Sequence, residues 1–304
     1  MRAQPGERPI ASPAVRRRAW ELGADLRQIS ASGTAGRIVQ ADLDAWLARH
    51  PGAQRAPQQP AASAPRGVER HDEEAVPITG VRRRIAQRMQ ESARRIPHFT
   101  YVEEVDVSEV EALRAQLNER WNGTRPHLTL LPLLVRALVL AVQRYPLVNG
   151  RFDDDAGVLT RHGAMHVGIA TQTEAGLMVP VLRHAEARDP WSSATEIARL
   201  AEAARAGRAT RDELTGSTIT ITSLGALGGI ASTPIINLPE VAIVGVNRIV
   251  LRPVVVRDGG AMLPRRMMNL SCSFDHRVID GQYAAGFVQA VRAALESPAL
   301  LFVE

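Results

Sequence analysis

Ser273-Phe274-Asp275-His276-Arg277-Val278-Ile279-Asp280-Gly281 places a histidine and a carboxylate four positions apart, close to the C-terminus. Met267 through Cys272, just upstream, reads as a largely buried strand. Downstream of Gly281, the residues Ala284, Ala285, Phe287, Val288, Val291 and Leu295 recur at helical spacing. The segment is therefore a strand, a tight turn and a helix, and it holds His276 between two rigid elements. An imidazole, with an ordinary pKa of about 6.5, is the side chain best suited to take a proton near neutral pH. Spacing alone favours a satisfied structural histidine, so the surrounding chain must decide.

Working outward, residues 76–304 read as one α/β domain. Thr79 and Gly80 open a basic helix through Met89, and Phe99 to Val107 alternates like a strand. Ser108 is placed to cap a helix carrying Val110, Leu113 and Leu117, and a further helix covers Leu130 to Gln143. Strands are expected at Met165–Thr171, Leu177–Leu182, Thr218–Thr222, Ala242–Val246, Pro253–Arg257 and Met267–Phe274, with a helix from Pro190. Residues 51–75, rich in proline, alanine and glutamine without periodicity, form a linker. Residues 8–50 are a small helical unit: Ser12 caps a helix with Pro13 at its first position, Gly23 ends it, and a Ser32–Gly36 loop precedes a second helix.

Composition excludes several classes. The hydrophobic fraction of 45% supports a sizeable core, and the 4% aromatic fraction implies aliphatic packing. A net charge of +5 is carried by interspersed residues rather than long runs, which argues against nucleic acid. All 37 basic residues are arginine. A single cysteine, Cys272, rules out an internal disulfide framework and a multi-cysteine metal site. The apolar stretch Leu128–Val142 is interrupted by Pro132 and Arg136 and is too short to span a bilayer, and Met1–Ile10 lacks a signal-like apolar run. A reducing, cytoplasmic location is expected, with no membrane.

Asp275-His276-Arg277-Val278-Ile279-Asp280-Gly281 resembles the Asp-His-Arg-x-x-Asp-Gly signature of the acyltransferase component of 2-oxoacid dehydrogenase complexes. Further matches follow in order: Ile96-Pro97-His98-Phe99, Gly176-Leu177-Met178-Val179-Pro180, Leu214 through Gly225, and Pro239-Glu240-Val241-Ala242-Ile243. The resemblance implies a chloramphenicol-acetyltransferase-like α/β fold with a mixed sheet. It also implies exchange of an acyl group between two thiols, from dihydrolipoamide to coenzyme A. His276 is then the base, and Thr222 occupies the position of the family's oxyanion-binding serine, with Ser223 as a rival. Asp280 has a supporting role, while Asp275 and Arg277 are structural. Coenzyme A contacts carried over by resemblance fall on Arg114, Thr129, Gln172, Thr222, Ser223, Asn247 and Ile249. No metal is required. His98 is expected to pack, and His162 and His166 have no evident third ligand.

The strings Ala11-Ser12-Pro13-Ala14-Val15-Arg16-Arg17 and Ser32-Gly33-Thr34-Ala35-Gly36-Arg37-Ile38 resemble the peripheral subunit-binding domain of the same acyltransferases. Arg16, Arg17 and Arg37 are the candidates for docking the decarboxylase component or dihydrolipoyl dehydrogenase. The family carries its acyl group on a lipoylated lysine, which this lysine-free chain cannot provide, so the lipoyl group is expected in trans or from an N-terminal domain missing here. The resemblance implies a homotrimer assembling into a larger core. Phe99–Glu104 and Thr218–Val246 look closest to branched-chain members. The alternatives are acetyl transfer in a pyruvate complex, a non-catalytic tethering component, and a free-standing acetyltransferase.

Overall fold

A computed structural model of the chain describes residues 9–50, 70–174, 176–223, 225–255, 260 and 262–303. Most of the expected linker, together with Arg8, Leu224 and Arg257, lies outside the described residues. The chain divides into two compact units, Met1–Ala75 and Val76–Glu304.

The first unit contains β1 (Ile10–Ala11), α1 (Pro13–Glu21), β2 (Arg37–Ile38) and α2 (Gln40–Arg49). Ser12 caps α1, its Oγ accepting from the Val15 amide at 3.3 Å, and Gly23 takes a φ of 65° just past the helix. The expectation of a purely helical unit is modified by a two-residue parallel pairing of β1 with β2. Val15, Ala19, Ile29, Ile38 and Leu43 form its core. Asp42 ties the Ser32 loop to α2 by accepting from the Ser32 and Val39 amides, each at 3.0 Å. Hydrogen bonding from Ser32 and then Val39 holds its carboxyl below the usual carboxylate range.

The second unit runs through α3 (Gly80–Arg95), β3 (His98–Asp106), α4 (Ser108–Arg120), α5 (Leu130–Arg144), β4 (Gly150–Asp153) and β5 (Val158–Arg161). It continues through β6 (Val167–Ile169), β7 (Thr171–Thr173), β8 (Gly176–Met178), β9 (Val181–Leu182), α6 (Pro190–Arg205) and β10 (Ile219–Ser223). The last elements are β11 (Ala242–Val246), β12 (Val250–Val255), β13 (Met262–Asp275) and α7 (Gly281–Glu296). The main sheet is mixed, in the order β12-β13-β11-β10-β6-β9 with β3 on the other edge of β13. β10 runs parallel to β11 and β6, while β13 is antiparallel to β11, β12 and β3.

Several boundaries differ from the expectations for local reasons. The strand expected over Leu177–Leu182 is two strands, because Pro180 between them has no amide to donate to a ladder. β13 begins at Met262 rather than Met267, and its extra residues pair with β12 as a hairpin arm. Pro264, Arg265 and Arg266 hide that arm from hydrophobic alternation. α3 continues to Arg95, since the polar stretch after Met89 contains good helix formers. Ser108 is not the cap of α4 but its first residue; Val107 precedes it, and the Ser108 Oγ accepts from Arg266 N–H at 2.8 Å. Among the described residues no helix is long and apolar enough to cross a membrane.

The core is built by α5 and α7 packing together with α6 and the sheet. α5 buries Leu133, Leu134, Val135, Leu138 and Val139, so it is apolar nearly all round, as a central helix must be. Phe274 of β13 meets Phe287 of α7 edge to face at 6.1 Å. Gly286 permits a close approach: a Cβ there would lie 2.6 Å from the Tyr145 hydroxyl.

Just before β11, one carboxylate is buried with no ion pair among the described residues. Glu240 is 1% exposed, and its Oε1 accepts from Ser217 Oγ at 2.5 Å, Thr220 Oγ1 at 2.9 Å and Asn237 Nδ2 at 2.9 Å. Oε2 has no partner. Burial pushes the carboxyl up to about 7, against the pull of those three donors and of the nearby Arg151 charge. The folded state therefore binds this proton more tightly than the unfolded chain. The resulting stability is fully present below the ordinary value of 4.5 and is lost as pH rises towards 7. The loss amounts to roughly 3 kcal/mol. Glu240→Gln imitates the neutral acid, so its Tm should gain on wild type progressively between pH 5 and 8 in thermal melts. Parallel pH profiles for the two proteins would contradict this assignment.

Candidate active site

β13 delivers His276. Asp275, the last residue of the strand, is fully buried, whereas His276 is exposed in the turn that follows. The turn is rigid for identifiable reasons. Arg277 Nε and Nη2 donate to Asp275 at 2.9 and 2.7 Å, and the Arg277 amide donates to the same carboxylate at 3.0 Å. Arg277 also pairs with Asp154 and lies over the Phe152 ring, 4.7 Å from its centroid. A buried carboxylate gripped by a planar guanidinium is costly to disturb, because losing the partner leaves an uncompensated charge. The His276 ring rests 4.7 Å from the Phe99 ring centroid, and its backbone amide donates to the Pro97 carbonyl at 3.2 Å. Asp280 has no arginine partner among the described residues. It is the N-cap of α7, accepting from the Tyr283 amide at 2.7 Å, and so fixes the exit from the turn.

A second half of the site lies at the other end of the strands. Thr129, Ser223, Asn247 and Ile249 converge on one cleft of about 550 Å³, with Leu130, Leu134, Val246 and Met268 as apolar wall. Four coenzyme A positions carried over by resemblance are thus brought together. Apolar walls with two hydroxyls and an amide suit a thiol-bearing arm of alternating methylenes and amides. Thr222 precedes Ser223 on β10 and is half-buried. Sequence reasoning passed over Leu130, Leu131 and Leu134, although their helical spacing just after Thr129 marks one face of α5. It also missed Arg248, the one charged residue lining the cleft among the described residues.

Strand register keeps the two halves apart within one chain. Thr222 pairs with Gly245, and Gly245 pairs with Ser271, five positions before His276 on an antiparallel strand. At about 3.4 Å per residue, His276 lies roughly 17 Å along the strands from Thr222 and two strands across. Their side chains cannot meet in a single copy.

Other expected contacts are placed differently. Arg114 has its guanidinium engaged: Nε and Nη2 donate to Glu111 at 2.9 Å each, and Nη1 donates to the Leu128 carbonyl at 3.2 Å. It is thus paired with Glu111 and tied to the residue before Thr129, with one N–H on each of Nη1 and Nη2 left over. Gln172 is exposed on the β7–β8 hairpin, donates to the Thr173 carbonyl at 3.2 Å, and does not line the cleft. Arg16 is likewise committed, donating to the Ala11 and Pro9 carbonyls at 3.2 and 2.6 Å, while Arg17 and Arg37 are exposed.

The remaining reactive side chains have structural places. Cys272 is buried, and burial alone pushes its thiol up to about 12, which removes it as a nucleophile. His98 has Nδ1 2.9 Å from the Ile96 carbonyl and accepts at Nε2 from the Ile236 amide at 3.0 Å, which holds the ring at both nitrogens. Burial lowers the pKa of both His162 and His166. No group of three metal-ligating side chains occurs among the described residues.

Residues 70–303 match the family of 2-oxoacid dehydrogenases acyltransferase (catalytic domain), and residues 9–44 match the e3 binding domain. The chain is similar to the lipoamide acyltransferase component of the branched-chain alpha-keto acid dehydrogenase complex of Pseudomonas aeruginosa. The identity is 62% over 303 residues, spanning 100% of this chain and 69% of that protein. It is 37% identical to the dihydrolipoyllysine-residue acetyltransferase component of the Bacillus subtilis pyruvate dehydrogenase complex, over 99% of this chain and 69% of that one. Among solved structures, Azotobacter vinelandii dihydrolipoamide acetyltransferase superposes with a TM-score of 0.72 at 37% identity, covering 76% of this chain and 95% of that one. That structure belongs to a study of a serine, a histidine and an asparagine in the enzyme's catalytic mechanism. The cubic core of the pyruvate dehydrogenase multienzyme complex superposes with the same score, identity and coverage. With both of its units matched in order, the chain belongs to the 2-oxoacid dehydrogenase acyltransferase family.

Proposed function

We propose that this protein transfers a branched-chain acyl group from acyl-dihydrolipoamide to coenzyme A, as the core component of a 2-oxoacid dehydrogenase complex. The observation that carries the reading is an exposed histidine on a rigid turn, paired in the same fold with a separate apolar cleft lined by Thr129, Ser223 and Asn247. The choice of a branched acyl group rests on the 62% identity to the Pseudomonas aeruginosa component.

The chemistry follows from the thiol. With an ordinary pKa of about 8.5, little thiolate is present at neutral pH. A His276 ring nitrogen takes the proton from the coenzyme A thiol as its sulfur attacks the thioester carbon. The carbonyl oxygen becomes an oxyanion, to which the Thr222 hydroxyl donates a hydrogen bond. Collapse breaks the bond to the lipoyl sulfur, and the imidazolium returns the proton to that leaving thiolate. Because His276 and Thr222 lie at opposite strand ends, the working site joins two copies, and a trimer is the smallest assembly we propose. Larger assembly is supported by similarity to the cubic core.

The 9–44 unit is proposed to hold dihydrolipoyl dehydrogenase or the decarboxylase, with the exposed Arg17 and Arg37 among its contacts. The lipoyl arm comes from elsewhere than this lysine-free sequence. The test is acyl transfer to coenzyme A from isobutyryl, isovaleryl and acetyl thioesters of dihydrolipoamide. A higher kcat/KM for the branched donors is expected. A preference for acetyl would move the assignment to pyruvate chemistry, and no transfer from any donor would reduce the protein to a tether.

A further inference from the structure

The loop between α4 and α5 carries an aromatic and arginine cluster that acyl exchange itself does not use. α4 ends at Arg120, and Trp121 is its C-cap. The Thr124 and Arg125 amides both donate back to the Trp121 carbonyl at 3.1 Å, with Gly123 at a φ of 74°. This tight turn folds Arg125 over the indole that begins it. Its guanidinium carbon lies 5.3 Å from the Trp121 centroid and 5.2 Å from that of Trp191 at the start of α6. Arg120 lies 5.0 Å from the Trp121 centroid, and the two indoles meet edge to face at 5.7 Å. Neither arginine has an ion pair among the described residues. A ring face orients a guanidinium without neutralising it, so its in-plane N–H groups stay available for a planar or tetrahedral anion.

The loop is also tied to the cleft. Asn118 Oδ1 accepts from the Leu128 amide at 2.8 Å, and its Nδ2 donates to the Leu128 carbonyl at 2.9 Å. Arg114 donates to that same carbonyl. Thr129, the next residue, lines the cleft, and the four residues from Arg125 to Thr129 span at most about 14 Å. A coenzyme A whose thiol arm fills the cleft must leave its nucleotide end outside, where its phosphate groups need cations. Arg114 already has its charge paired with Glu111, and among the described residues the cleft wall contributes one cation, Arg248.

We propose that Arg120 and Arg125, oriented by Trp121 and Trp191, form a phosphate-binding subsite for the nucleotide end of coenzyme A at the rim of the cleft. The proposal rests on the acyl-CoA-forming reading above.

The test uses the assembled full chain and an Arg120→Gln/Arg125→Gln double variant, with coenzyme A and pantetheine compared as acyl acceptors. The variant should raise KM for coenzyme A about tenfold or more, leave kcat in place, and not change KM for pantetheine, which has no phosphate. Added salt should raise the wild-type KM for coenzyme A and barely move the variant's. An unchanged KM for coenzyme A, or equal losses with both acceptors, overturns the subsite. A raised KM only for a protein-borne acyl donor also overturns it, and assigns the cluster to an acidic partner surface. If wild type transfers to neither acceptor, the functional reading fails, and calorimetric binding of coenzyme A to wild type and variant still decides the subsite: equal affinities refute it.

Discussion

Replacing His276 with alanine is expected to lower kcat for acyl transfer by about 10²- to 10⁴-fold, with little change in Tm. The size follows from the loss of a positioned base and acid for a thiol that is mostly protonated at neutral pH. The small stability cost follows from the side chain's surroundings. His276 is exposed, and the contact its ring makes is with the Phe99 face. The turn around it is held by Asp275, Arg277 and the Asp280 cap, none of which the substitution touches. Steady-state kinetics beside a thermal melt separates the outcomes. A variant that keeps wild-type kcat removes His276 from the chemistry. One that loses activity together with several degrees of Tm assigns the ring a packing role instead.

Thr222→Val should lower kcat by about 10²- to 10³-fold, corresponding to roughly 3 to 4 kcal/mol for one oxyanion donor. Valine keeps the β-branched shape that suits a strand and removes only the hydroxyl, so the half-buried position should pack as before. Thr222→Ser should retain most activity. Ser223→Ala decides between the neighbours: if it is the damaging change and Thr222→Val is silent, the oxyanion donor is Ser223. The strand register adds a sharper expectation. Since His276 and Thr222 come from different copies in the proposed site, mixing the two inactive variants at equal amounts should restore about a quarter of wild-type activity. Random trimers reunite the two intact halves at that fraction of interfaces. No recovery in properly mixed trimers would mean that both groups serve the same copy.

Much of the fold was legible because its signals are local. β11 occupies Ala242–Val246 as its apolar run implies, and α1 starts where Ser12 and Pro13 place it. α6 begins at Pro190 behind an Asp189 cap. The β4–β5 hairpin was not anticipated, since its strands are short and half exposed, with too little alternation to register. The outer arm of β13 was missed because its stability comes from pairing with β12 rather than from a buried face.

The site divides along the same line. Sequence alone determined that His276 stands at a strand-to-helix turn, that a hydroxyl pair closes β10, and that no lysine is present to carry a lipoyl group. These are properties of adjacent residues and of composition. Only the tertiary structure decided which residues share a cleft, that Arg114 pairs with Glu111 and donates to Leu128, that Asp280 caps α7, and that Glu240 is buried with no ion pair among the described residues. It also decided that His276 and Thr222 stand at opposite ends of the sheet. That separation is set by β11 pairing parallel to β10 and antiparallel to β13. Pairing direction and register between segments tens of residues apart depend on which faces bury together, and no local pattern of residues encodes them.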